Sequence, residues 1–126
     1  GRWVKFTKTF TDFSTAGLTS DVEVLSLPAR GAVQKVVIKH TASFTGGAIA
    51  SYTVSVGIAG NFTKYAAAFD VFQAPGDAVF GFNNLQNMEN FGAVTSIRAQ
   101  ATATGADLDQ AAAGSVDIYI LYSVLP

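Results

Sequence analysis

The sequence predicts an all-β domain, an antiparallel β-sandwich of about eight strands with a jelly-roll-like arrangement. Three observations predict it. Apolar and polar residues alternate with a period of two through most segments, as in Val116, Ile118, Ile120, Tyr122 and Val124. Turn chemistry built on Gly, Pro, Asn and Asp recurs at intervals of roughly 8 to 20 residues. No segment sustains the period of a helix. The 126 residues are read as one domain, 1–126, able to bury roughly two thirds of the surface its unfolded chain exposes. An immunoglobulin-like sandwich is the alternative, weakened by the absence of a cysteine pair and of a Trp in a central strand.

The first strand is Arg2 to Phe10, with Val4, Phe6 and Phe10 on one face and Lys5, Thr7 and Thr9 on the other. Lys8 breaks the apolar parity, as an inward-pointing charge on an edge strand does. Trp3 falls on the polar parity and is read either as a cap on the end of the sandwich or as a platform for a ligand. Thr11 to Ser20 is a polar loop, and Asp21 to Leu27 a second strand that Pro28 ends. Arg30 and Gly31 turn the chain into its longest patterned stretch, Val36 to Ile58. Two alternating runs meet there across Gly46 and Gly47, and the stretch is predicted to be a hairpin. Closely spaced strands here suit antiparallel pairing of neighbours in sequence.

Gly57 to Asn61 is turn chemistry; Asn61-Phe62-Thr63 matches a glycosylation acceptor, a pattern frequent by chance. Lys64 to Phe72 contains three consecutive alanines and is predicted to be a short helical turn or an irregular link, although its aromatics would also serve a strand. Ala74-Pro75-Gly76-Asp77 is a turn before a short strand at Ala78 to Phe82. The Asn-rich stretch from Asn83 to Phe91 is a surface loop whose amides bind sugar hydroxyls or their own backbone. Val94 to Thr104 is a strand with Ile97, Ala99, Ala101 and Ala103 on one face, small enough for an opposite sheet or a neighbouring subunit to approach. The last strand, Ser115 to Leu125, carries Tyr119 and Leu121 on its second parity; two apolar faces place it in the middle of a sheet or against a partner chain.

Composition excludes several classes. Eight Lys and Arg against nine Asp and Glu, with charged residues at only 13% of the chain, disfavour binding driven by phosphate neutralisation, so no nucleic-acid partner is expected. Apolar residues reach 49%, but no run approaches the roughly 20 needed to span a membrane. Without cysteine there are no disulfides and no thiolate metal sites. Gly1 in place of an initiator Met suggests a trimmed or partial chain.

No catalytic site and no cofactor is expected from the residues. His40 is the one histidine, on the apolar parity of its strand and with no GxSxG nucleophile elbow to serve. Asp107 and Asp109 are spaced as a hard cation would want, but the residues after them supply neither further carboxylates nor a closing Glu. Asp70, Asp77 and Glu89 are carboxylates that nothing in the sequence places across a cleft.

Four phrases carry a resemblance: Val36 to Phe44 (VVIKHTASF), Thr53 to Asn61 (TVSVGIAGN), Lys64 to Asp70 (KYAAAFD) and Gly114 to Ser123 (GSVDIYILYS). Together they resemble small β-sandwich structural proteins and fibre or decoration domains of tailed bacteriophages. The resemblance implies a non-enzymatic component of the virion, homotrimeric, decorating a capsid or forming part of a tail or fibre beside other virion proteins. It transfers no active-site residues. Ile97, Tyr119 and Leu121 are then the candidate subunit interface. The alternative from a different class is a carbohydrate-binding module, with Trp3, Tyr65, Asn84 and Asn87 as candidate glycan contacts.

Overall fold

The computed structural model describes residues 1–72, 79–80 and 90–126. Among the described residues eight strands follow in order: β1 (Arg2–Thr9), β2 (Thr19–Leu27), β3 (Gly31–Thr45), β4 (Ser51–Ile58), β5 (Asn61–Asp70), the two-residue β6 (Val79–Phe80), β7 (Thr95–Thr104) and β8 (Ala113–Val124). A 3-10 turn, Leu108–Gln110, leads into β8. The strands form two antiparallel four-stranded sheets, β1-β8-β3-β6 and β2-β7-β4-β5. First pairs with last, second with seventh, third with sixth and fourth with fifth. This nesting is a long double strand rolled over a core, the jelly roll that the alternation predicted.

Strands of both sheets fill the space between them, alternating except where a bulge shifts the register. From β3 come Val33, Val36 and Ile38, from β4 Tyr52, Val54 and Val56, from β7 Ile97, Ala99, Ala101 and Ala103, and from β8 Val116, Ile118 and Ile120, all buried. The alanine row of β7 thus serves the approach of the opposite sheet. β8 lies between β1 and β3, as its two apolar faces predicted. β1 is an edge strand, in keeping with the charge of Lys8 on its inward parity.

The predicted hairpin across Gly46 and Gly47 is not one. β3 and β4 belong to opposite sheets, and the chain between them crosses the end of the sandwich. The same parity supports both arrangements, because two arms that face one core from opposite sides alternate just as two paired arms do. Aromatic stacking fastens the crossover: the Phe44 ring lies 4.6 Å from that of Tyr52 and 6.4 Å from that of Phe13. β2 likewise pairs with β7, remote in sequence, and not with its neighbour β3. The tight hairpin among the described residues is β4–β5, turning at Ala59 and Gly60, where Gly60 has φ 87°.

Lys64 to Asp70 is strand, not helix. Its register with β4 shifts between Val54 and Val56 and again between Val56 and Ile58, so β5 carries extra, bulged residues. Tyr65 and Ala66 are consequently buried side by side while Ala67 and Ala68 are exposed. Bulges erase the period of two, which is why this strand did not read as one.

Tyr52 is fully buried, its hydroxyl without a hydrogen-bond partner among the described residues. Burial pushes its phenol well above the usual tyrosine range. Tyr52→Phe keeps the ring against Phe44 and removes an unsatisfied polar group, so it is expected to leave stability unchanged or to raise it by up to about 1 kcal/mol. A denaturant midpoint lowered by the equivalent of ~2 kcal/mol would mean that the hydroxyl is bonded to buried water.

Candidate interaction surface

The outward parity of β8 sets the site. Asp117, Tyr119, Leu121 and Ser123 point away from the core because Val116, Ile118 and Ile120 fill it. Register then fixes their neighbours. Leu121 lies between Trp3 of β1 and Lys35 of β3, Tyr119 between Lys5 and Val37, and Asp117 between Thr7 and Lys39. Directly paired residues on one face have Cβ atoms about 5 Å apart, so these three rows form one continuous surface. Trp3 is 49% exposed, Lys5, Lys35 and Lys39 are exposed, and Tyr119, Leu121 and Val37 are half-buried.

The polar groups of this face are only partly matched. Asp117 accepts a hydrogen bond from the Thr7 hydroxyl at 2.7 Å and lies 3.8 Å from the Lys5 ammonium. Such an exposed pair contributes little to stability. Lys35 and Lys39 have no ion pair among the described residues. Among the described residues, these rows carry three lysines, one aspartate and an aromatic-aliphatic centre.

The opposite outer face is of another kind. There Asp21 and Arg98 pair at 2.5 Å, Arg98 also donates to the Ser96 hydroxyl at 3.0 Å, and the Ser51 and Thr104 hydroxyls bond each other at 2.5 Å. Thr53 and Thr102 sit opposite one another in the adjoining row. Small hydroxyl side chains that satisfy one another present little apolar area to a partner.

The candidates named from sequence are redistributed. Tyr119 and Leu121 are on the surface and adjacent, and Trp3, proposed for glycan contact, stands beside them. Ile97 is corrected: it is fully buried in this chain's own core and offers nothing to a subunit interface. Tyr65 is corrected likewise, its side chain being fully buried and inaccessible to a sugar. Asn84 and Asn87 lie outside the described residues, as do Asp77 and Glu89. Lys5, Lys35, Val37 and Lys39 were missed. Their outward parity is legible in each strand, but only the pairing of β1 and β3 with β8 brings them together.

The residues considered for catalysis are dispersed. His40 is 3% exposed within β3, opposite Val116, and its Nε2 has no partner among the described residues. Asp70 accepts the backbone N–H of Phe72 at 2.8 Å, closing a turn at the end of β5. Asp107 and Asp109 flank Leu108, which is buried, and no group of three or more His, Cys, Asp or Glu among the described residues is arranged to hold a metal ion. Gly1, Arg2, Tyr122, Ser123 and Val124 line an open depression. No helix among the described residues is long and apolar enough to cross a membrane.

No family model matches the sequence, and no curated protein matches it. Solved structures do. A chain of the Cyanophage Pam1 capsid asymmetric unit superposes with a TM-score of 0.67 at 21% identity, over 99% of this chain and 84% of that one. A chain of the capsid of Ralstonia phage GP4 gives 0.65 at 19% identity, over 100% and 86%. A chain of Tomato Aspermy Virus gives 0.55 at 12% identity, over 98% and 79%. At these identities the likeness is one of fold: this chain has the jelly roll found in chains of two phage capsids and a plant virus.

Proposed function

We propose that this protein is a non-enzymatic structural component of a bacteriophage virion, located on the capsid and self-associating as a homotrimer. One observation carries the reading. The jelly roll spans the chain from end to end, and chains from two phage capsids match it over 99% and 100% of its length while extending little beyond it. A decoration role on the capsid fits this better than a tail or fibre role, because the neighbours with matching topology come from capsids. The exposed face of β1, β8 and β3 supplies the contact: Trp3, Tyr119 and Leu121 are large apolar groups of the kind that anchor interfaces. Other virion proteins are the remaining partners.

Light scattering after size exclusion, across a concentration series, tests the proposal. The expected result is a mass three times the 13.1 kDa of the chain. A monomer at every concentration would remove the self-associating reading.

A second reading, a carbohydrate-binding module, draws on the exposure of Trp3, one row along the sheet from Tyr119. It predicts calorimetric heat with a glycan that Trp3→Ala abolishes. An array without binding eliminates it.

A further inference from the structure

We infer that self-association is heterologous, with the basic, aromatic outer face of β1, β8 and β3 on one copy receiving the acidic loop end of the next. The inference rests on the self-associating reading above and adds to it the identity of the two surfaces. It comes from how the fold sorts charge. Lys5, Lys35 and Lys39 stand on the face that also carries Trp3, Tyr119 and Leu121, with Asp117 as the acid in the same rows. Pairing this face with itself about a two-fold axis across the strands would set Lys5 against Lys5 and Lys35 against Lys39; about an axis along β8 it would set Asp117 against itself and leave all three lysines facing no carboxylate. Both arrangements are unfavourable where water is being excluded.

The complementary surface is at one end of the sandwich. Loop 10–18 and loop 105–112 run side by side there, joined by hydrogen bonds from the Leu108 and Asp109 amides to the Gly17 and Thr15 carbonyls, both at 2.9 Å. The crossover at 46–50 packs beside them, with Ala112 donating to the Thr45 carbonyl at 2.8 Å. These three segments contain Asp12, Asp107 and Asp109 and no Lys or Arg. Asp12 and Asp109 are exposed, and Leu18 among them is 50% exposed. A basic face with an apolar centre and an acidic end with an apolar knob are complementary in both charge and hydropathy. A contact between two different patches closes into a ring when its rotation allows, and a trimer is such a ring.

The test reverses charge on one surface, then on the other, then on both, following mass by light scattering. Lys35→Glu with Lys39→Glu should weaken assembly at least tenfold, and so should Asp107→Lys with Asp109→Lys. Combining all four on one chain restores a matched pair of surfaces and should recover the parent mass. Two lysines added instead to the opposite sheet, Thr53→Lys with Thr102→Lys, should not rescue the Lys35→Glu, Lys39→Glu variant. Raising salt from 0.1 to 1 M shortens the screening length from ~10 to ~3 Å and should weaken the parent assembly. All the altered positions are at least partly exposed, and thermal melts verify that each variant folds.

The outcomes separate the two claims. A parent that assembles while the reversed variants keep its mass overturns the heterologous contact and leaves self-association standing. A four-fold variant as dissociated as its halves overturns the contact as well. A parent that is monomeric throughout overturns both. If that monomer binds a labelled oligothymidylate and the Lys35→Glu, Lys39→Glu variant does not, the occupant of the basic face is nucleic acid and the inference is wrong.

Discussion

Ile118→Asp is expected to destabilise the fold by about 4 kcal/mol or more, enough to unfold most of the protein at physiological temperature if its total stability lies in the usual range of ~5–15 kcal/mol. Ile118 is fully buried in β8, paired with Phe6 of β1 on one side and Ile38 of β3 on the other. It therefore sits at the centre of the sheet and faces the buried rows of the other. A carboxylate there loses its hydration and meets apolar neighbours on its own sheet. Burial would also raise the introduced carboxyl above its ordinary value of ~3.9, so the folded state would hold its proton where the unfolded state releases it. By linkage the deficit shrinks as pH falls from 7 toward 4, the direction opposite to ordinary acid denaturation. Tyr119→Asp is the control. One residue along, it faces outward beside Lys5 and should cost less than about 1 kcal/mol while weakening assembly. Urea midpoints for the two variants decide the matter, and similar midpoints would reverse the assigned faces of β8.

How much of this was legible in the sequence depends on what each feature requires. The faces of β7 and β8 were, because Ile97 to Ala103 and Val116 to Val124 keep an unbroken period of two, and burial follows it through Ala103 and Ile120 before β8 reaches the surface at a half-buried Tyr122 and an exposed Val124. Strand partnership was not. Parity says which side of a strand meets the core, but not whether the next strand in the chain joins the same sheet or the opposite one, so Val36 to Ile58 read as a hairpin. β5 was hidden by its bulges. The interaction surface suffered from the same blindness to pairing: Trp3, Lys35 and Leu121 are far apart in the chain and adjacent only through two registers. Ile97 was misassigned because a face of small side chains suits either an opposing sheet or another subunit, and here the opposing sheet takes it.

The crossover that replaced the predicted hairpin yields the second large effect. Gly46→Val is expected to destabilise by about 3 kcal/mol or more. Gly46 has φ 155°, outside what a side chain readily adopts. A Cβ there would also overlap the carbonyl oxygen of Gln110 and come within 2.5 Å of the Ala112 nitrogen and 2.9 Å of the Ala111 Cα. Those atoms are backbone, and the Ala112 nitrogen is already committed to the Thr45 carbonyl. Relief would require the crossover to lift from the loop that leads into β8, disturbing the stacking of Phe44 on Tyr52 next to it. Gly60→Ala separates the two causes. It has φ 87° but nothing within 4 Å of its Cβ position, so it carries the conformational penalty alone, ~1–2 kcal/mol. If the first variant costs markedly more than the second in parallel urea melts, close packing of the crossover is what fixes Gly46. Equal costs would mean that only its dihedral angle matters, and that the end of the sandwich is looser than its hydrogen bonds imply.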